Sequence, residues 1–262
     1  MMDIPGYEGT IRHLKSEQRS VFRNSDRVSD RSAKHNRIPH NRTPQASSLA
    51  SNVYSRLPRE LRNRIYTFCI QGPYDNEVIV RRTAYGSTHR FAHLIREPCG
   101  QHAYQWVEDP ITSYLDVKRL GHEVAREMLE CYYWLRTFKF AHHELCLLGP
   151  FLKSDNFGLG MLPAQYARRL QVQIRPLDFT FLLGEQRLFE EKRCCKAIET
   201  LAAIQTARTE VAIEIDLAQG SLDEADYDRF SSNAAQFMRR MARLIEELRE
   251  KGMRIRVGKT GA

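Results

Sequence analysis

The sequence predicts an α/β protein: N-terminal helices, then helix–strand repeats that build a mostly parallel sheet covered by helices on one face. Three observations carry this expectation. Segments with helical spacing of apolar residues alternate with strand-like segments centred near residues 139, 172, 214 and 255. Strands joined by helical crossovers run parallel. The later strands alternate apolar and polar residues instead of reading as continuous apolar runs, which leaves one face of the sheet to water. A hydrophobic content of 42% supplies the core.

Residues 1–52 hold nine Arg and Lys against five Asp and Glu, with few aliphatics. Such a segment buries too little apolar surface to offset the entropy of ordering, so a disordered basic tail is expected, with residues 53–262 forming a single domain. A helix opens that domain. Pro58 suits a first helical position, and Leu57, Leu61, Ile65 and Phe68 recur at helical spacing as an apolar face. Arg56, Arg59, Glu60, Arg62 and Arg64 lie between them as a solvated, mostly basic face.

Residues 71–113 read as an irregular insert. It has a turn at Gln71–Asn76 and a strand at Val78–Val80, while Pro98, Gly100 and Pro110 argue against longer elements. Val117, Leu120, Val124, Met128, Cys131 and Leu135 then step by three or four as one amphipathic helix. A strand at Phe138–Phe140, a short helix within Leu145–Leu152 and a loop at Asn156–Gly160 follow. Arg169–Arg175 alternates strictly, as a strand does. Leu188–Thr206 is helical, with Leu188, Cys195, Ile198, Leu201 and Ala202 on one side. Glu210–Leu217 is the strongest strand pattern in the chain. Ser221 and Glu224 have the spacing of a capping box. They open a long helix with Phe230, Ala234, Phe237, Met241, Leu244 and Leu248 inward and Gly252 as its stop. Met253–Val257 is the last strand.

Strand parity separates the two faces of the sheet. Leu170, Val172, Ile174, Val211, Ile213, Ile215, Leu217, Ile255 and Val257 point inward. Gln171, Gln173, Arg175, Ala212, Glu214, Asp216, Arg254 and Arg256 stand on the open face. With sequential strands as neighbours, Glu214 and Asp216 face Arg254 and Arg256 as a salt-bridge ladder. This polar face is either a partner surface or a merely solvated one.

The first helix also carries a resemblance. Leu57-Pro58-Arg59-Glu60-Leu61-Arg62, followed by Ile65-Tyr66, resembles the opening helix of the F-box-like domain of many filamentous-fungal proteins. A second block fits the same pattern: Tyr114–Leu120, His122–Glu127, Tyr132-Tyr133, then Thr137–Phe140. The resemblance implies F-box-like helices at the start of the domain, the first packing on the Val117–Leu135 helix. It also implies docking on a Skp1-like adaptor and substrate recruitment for ubiquitination. Leu57, Pro58, Leu61 and Ile65 would then fix the first helix, with part of the apolar face shared with the adaptor. Without an adaptor the same residues are core alone.

The remaining chemistry points away from catalysis. Net charge is +8 and the pI is near 9.3, a balance that suits nucleic acid or simple solubility. The six scattered cysteines imply a reduced, intracellular protein, in nucleus or cytoplasm. No secretory signal or membrane-length apolar run is found, so no membrane role is expected. His89, His93, Cys99 and His102 match no zinc module, and polar loop residues are the better reading. His142-His143-Glu144 lacks a nucleophile at any recognisable spacing. Gly158-Leu159-Gly160 lacks the third glycine of a dinucleotide fingerprint, Cys194-Cys195 reads as core packing, and Asn41-Arg42-Thr43 is a sequon of no consequence without a leader. Arg81-Arg82, Arg168-Arg169, Arg239-Arg240 and Arg243 offer a phosphate-binding stripe without an accompanying aromatic motif. The expectation is a non-enzymatic protein-interaction module with no cofactor or metal; the alternative is a basic nucleic-acid-associated protein using the tail.

Overall fold

In the computed structural model the described residues are 43–72, 75–83, 89–96, 104–176, 184–205, 207–216 and 224–259. The first 42 residues lie outside them, and residues 43–52 of the expected 1–52 tail are helical. The chain divides into two compact units, Met1–Thr43 with Leu94–Trp106, and Pro44–His93 with Val107–Ala262. Of the first, the described residues are Thr43 and the strand residues Leu94–Arg96 and Tyr104–Trp106. The sites below belong to the second.

Two helices come first, α1 (Thr43–Arg56) and α2 (Arg59–Gln71). The first runs across residue 52, where the sequence reading ends its tail. Pro58 sits at the N-cap of α2 rather than inside it. The expected irregular insert holds three strands, β1 (Glu77–Arg82), β2 (His89–Arg96) and β3 (Tyr104–Glu108). The sequence reading finds only the first of these, because β2 is rich in His and Arg and β3 is short. Two one-turn helices follow, α3 (Ile111–Tyr114) and α4 (Val117–Leu120). The helix predicted over Val117–Leu135 is broken: Gly121 adopts φ +78°, and α5 (His122–Leu135) starts anew beyond it. A side chain at Gly121 would be strained there, which is why glycine marks the break.

The second half follows the predicted alternation. It comprises β4 (Thr137–Phe140), a 3₁₀ turn (His142–Leu147), α6 (Leu148–Lys153), α7 (Pro163–Tyr166) and β5 (Arg169–Ile174). Then come α8 (Gly184–Glu199), a 3₁₀ turn (Thr200–Ala203), β6 (Glu210–Ile215), α9 (Glu224–Glu250) and β7 (Arg254–Lys259). Gly252, at φ +88°, stops α9 as expected, with its N–H on the Arg249 carbonyl. The proposed capping residues Ser221–Asp223, and Leu217, lie outside the described residues.

The seven strands are ordered β3-β2-β1-β4-β5-β6-β7. β1 pairs antiparallel with β2, and β1, β4, β5, β6 and β7 pair parallel in that order. Each parallel step moves the same way across the sheet, so right-handed crossovers stack the connecting helices on the same face. That face is the apolar one. Val78, Val80, Phe138, Phe140, Leu170, Val172, Val211 and Ile213 are at most 1% exposed. An aromatic cluster fills the space above β4, with Phe138 5.0 Å from Phe151 and 5.6 Å from Tyr132 between ring centroids. Core assignments on the helices hold for Ile198, Leu201, Phe237, Met241 and Leu248, whereas Leu188 and Ala202 are exposed and Leu244 is half-buried. Ile245 takes a core position that the sequence reading leaves out.

Candidate functional site

Helix α2 places the residues singled out from the sequence, and it does so the other way round. Leu61, Ile65 and Phe68 are 44, 39 and 82% exposed, while Tyr66 and Ile70 are buried. Leu57 is half-buried and Pro58 exposed. The side chains read as apolar core therefore stand in solvent, and Arg59 and Arg62, read as solvated, dock instead, while Arg56, Glu60 and Arg64 stay exposed as expected. The cause lies on α5. Glu127, buried among apolar residues, receives both Arg59 and Arg62. Arg62 donates through Nε and Nη2 to the two oxygens of Glu127, each at 2.8 Å. Arg59 donates to Glu127 and, through Nη2, to Glu130 at 2.8 Å. The Tyr66 hydroxyl donates to Glu127 at 3.2 Å. Charge-assisted, forked contacts of this kind hold one rotation of the helix against the pull of three exposed apolar side chains. Arg62 also donates to the Leu57 and Tyr54 carbonyls and lies over the Tyr54 ring, tying the end of α1 to α2. A glutamate at the centre of the Val124–Cys131 apolar stripe is the sequence signal that could have revealed this docking.

Burial opposes ionisation of Glu127, but the Arg62 hydrogen bonds, the Arg59 and Arg62 charges and the Tyr66 hydroxyl outweigh it and hold the carboxyl below its ordinary value of 4.5. Burial, then the Glu127 charge, pushes the Tyr66 phenol well up. A folded-state pKa below the unfolded one means that the clamp contributes fully above pH 4.5 and is lost as pH falls through the folded value. Glu127→Gln is expected to cost about 2 kcal/mol near neutral pH, since water around Arg59 screens part of the interaction. Urea melts should show the gap between wild type and variant closing as the pH is taken below 4.5. A gap independent of pH would refute the clamp.

The polar face of the sheet carries the other predicted residues. Arg175, Arg254 and Arg256 are exposed, and Gln173, Glu214 and Asp216 are half-buried. Gln171 is only 8% exposed, because it sits in a central strand between Lys139 and Ala212. Val257, expected inward, is 44% exposed on edge strand β7, which has a sheet neighbour on one side among the described residues. The predicted ladder is also displaced. β7 starts level with β6, so Arg254 lies opposite Glu210, Arg256 opposite Ala212, and Glu214 opposite Gly258. Arg256 pairs with Glu210 at 3.6 Å, and Asp216 turns the other way, to Arg175 at 3.2 Å. Glu77 and Lys139 add a 3.5 Å pair on β1 and β4.

The other candidates fall into structural settings. His89 and His93 lie on strand β2, not on a helix; His93 contacts the Glu77 carbonyl at 2.9 Å and Asp109 at 2.8 Å. Cys99 and His102 lie outside the described residues, among which no cluster fit for a metal ion is found. His142 starts the 3₁₀ turn and accepts the Arg175 N–H at 3.3 Å. Of the basic pairs, Arg82 donates to Cys146, Arg168 lies over Trp134, Arg169 donates to the Leu135 carbonyl and Arg240 bonds Glu191. Cys69, Cys131, Cys146, Cys194 and Cys195 are free thiols. Among the described residues no helix is long and apolar enough to cross a membrane. No family model, no curated protein and no solved structure matches the chain.

Proposed function

We propose that this chain is a non-enzymatic protein-interaction module of F-box-like type, in which α2 presents an apolar stripe to a Skp1-like adaptor. The observation that carries the reading is the exposure of Leu61, Ile65 and Phe68 on one side of a helix whose opposite side is pinned by Arg59 and Arg62. Residues at i, i+4 and i+7 share a helix face, and such a stripe laid into a groove is a recurrent recognition mode. The polar sheet face, with Gln173, Arg175, Glu214, Asp216, Arg254 and Arg256, is the complementary surface for a second protein substrate.

The test is a pull-down with the Skp1 orthologue. Wild type should be retained, and Leu61→Asp/Ile65→Asp should lose retention while keeping its helical circular dichroism, because both side chains already face water. Absence of wild-type retention would remove the ubiquitin-ligase reading.

A further inference from the structure

Positive charge gathers at one end of the sheet. Strands β5, β6 and β7 start level with one another, Arg169 opposite Glu210 and Glu210 opposite Arg254. Their starts, with the segments leading into them, line up and bring Arg168, Arg169, Arg208 and Arg254 into one row. The end of α5 meets the same row. The Arg168 N–H donates to the Tyr133 carbonyl at 3.3 Å, and the Arg168 carbonyl accepts the Glu210 N–H at 2.8 Å. Trp134 is thus held beside the arginines, 36% exposed, with the Arg168 guanidinium 5.4 Å from its ring centroid. Arg169, Arg208 and Arg254 are exposed.

Little acid answers this charge. Glu210 stands within the row, but Arg256 already holds it at 3.6 Å. Asp75 and Glu77 lie across β4, at the start of β1, where Glu77 pairs with Lys139 at 3.5 Å. Glu250, ahead of β7, is followed at once by Lys251. Arg169 donates to the Trp134 and Leu135 carbonyls rather than to a carboxylate, and Arg254 has no acid partner among the described residues. Arginines that step across strands at intervals of about 4.8 Å follow a chain of negative charges better than they enclose one ion. An exposed indole beside guanidinium groups adds a stacking face for a base, and every base has such a face. An acidic peptide would meet the arginines but not the ring, and a duplex hides its base faces. We propose that this end of the sheet binds single-stranded nucleic acid, with phosphates along Arg169, Arg208 and Arg254 and one base at the exposed part of Trp134. The contacts are to phosphates and base faces, which RNA and DNA share, so neither sugar nor sequence is selected. The surface uses nothing of the α2 stripe and shares Arg254 alone with the residues assigned above to the polar sheet face, so it does not depend on adaptor docking.

The probe is a fluorescein-labelled oligothymidylate of about twelve nucleotides, titrated with the full chain across a salt series and read by anisotropy. Affinity should fall with salt, and Arg254→Gln should lower the slope of log K against log salt by about 0.7, the share of one phosphate contact. Trp134→Ala should weaken binding about tenfold, the share of one stacked base. Arg243→Gln removes an equal charge from α9 and should leave binding unchanged. A duplex of the same length and polyglutamate should each bind more weakly than the single strand. Equal binding of either, an equal effect of Arg243→Gln, unchanged affinity in folded Trp134→Ala and Arg254→Gln chains, or no binding at about 50 mM salt would each overturn the proposal. Should Trp134→Ala fail to fold, the comparison of Arg254→Gln with Arg243→Gln, both at exposed positions, still decides.

Discussion

Arg136→Leu is expected to destabilise the fold by about 3 kcal/mol, more than the loss of the Glu127 clamp. Arg136 is 1% exposed, at the junction between α5 and β4. Its guanidinium donates to the Ile70 carbonyl at 2.6 Å and the Asp75 carbonyl at 2.7 Å, so it closes the end of α2 and the turn beyond it. Terminal helix carbonyls lack intrahelical donors and need a partner from elsewhere. Leucine keeps most of the packing volume but leaves both carbonyls unmet, at about 1–3 kcal/mol each. Release of a desolvated charge offsets part of that sum, which sets the figure near the middle of the range. Arg136→Lys should fall between, because an ammonium is a point donor and not a fork. Guanidinium melts with unchanged slope would read the difference directly. A leucine variant within about 1 kcal/mol of wild type would show that the two carbonyls find other donors.

The second large effect is a dependence of stability on pH centred on His142. The ring is 7% exposed; burial, then the charges of Arg193, His143 and Arg175, push it down to about 4 from an ordinary 6.5. The unfolded chain therefore takes up a proton between pH 6.5 and about 4 that the folded chain refuses. Stability rises with pH wherever the unfolded state binds more protons, so it should fall on acidification through this window, by about 3 kcal/mol in total from this group. His142→Gln keeps a polar side chain without the titration. Its stability should fall less steeply over the same window, the remaining slope coming from His89, which burial also holds below its ordinary value, and from carboxylates at lower pH. A variant with the wild-type slope would assign the acid sensitivity elsewhere.

Local pattern and fold agree in the second half of the chain. Strict alternation in Arg169–Ile174 and Glu210–Ile215 puts every second side chain into the core, and the parallel pairing follows from the helices between. Agreement ends where stabilisation depends on partners distant in sequence. The register of β7 depends on where α9 ends, which parity does not encode. The rotation of α2 depends on Glu127, sixty-eight positions beyond Arg59, and hydrophobic spacing alone points to the wrong side. β2 and β3 are hidden because basic and aromatic residues in them, such as Arg90 and Trp106, do not form a clean apolar alternation. The basic end of the sheet draws on separated stretches, so strand order, not linear spacing, brings its residues together.

The in-order succession of β4, β5, β6 and β7 has a consequence for how the molecule is assembled during synthesis. Each strand that emerges finds its pairing edge already supplied by the one made before it, so the chain accretes outward, as bricks are laid along a row. Shortening it from the C-terminal end exposes an earlier edge and leaves no gap in the interior of the row.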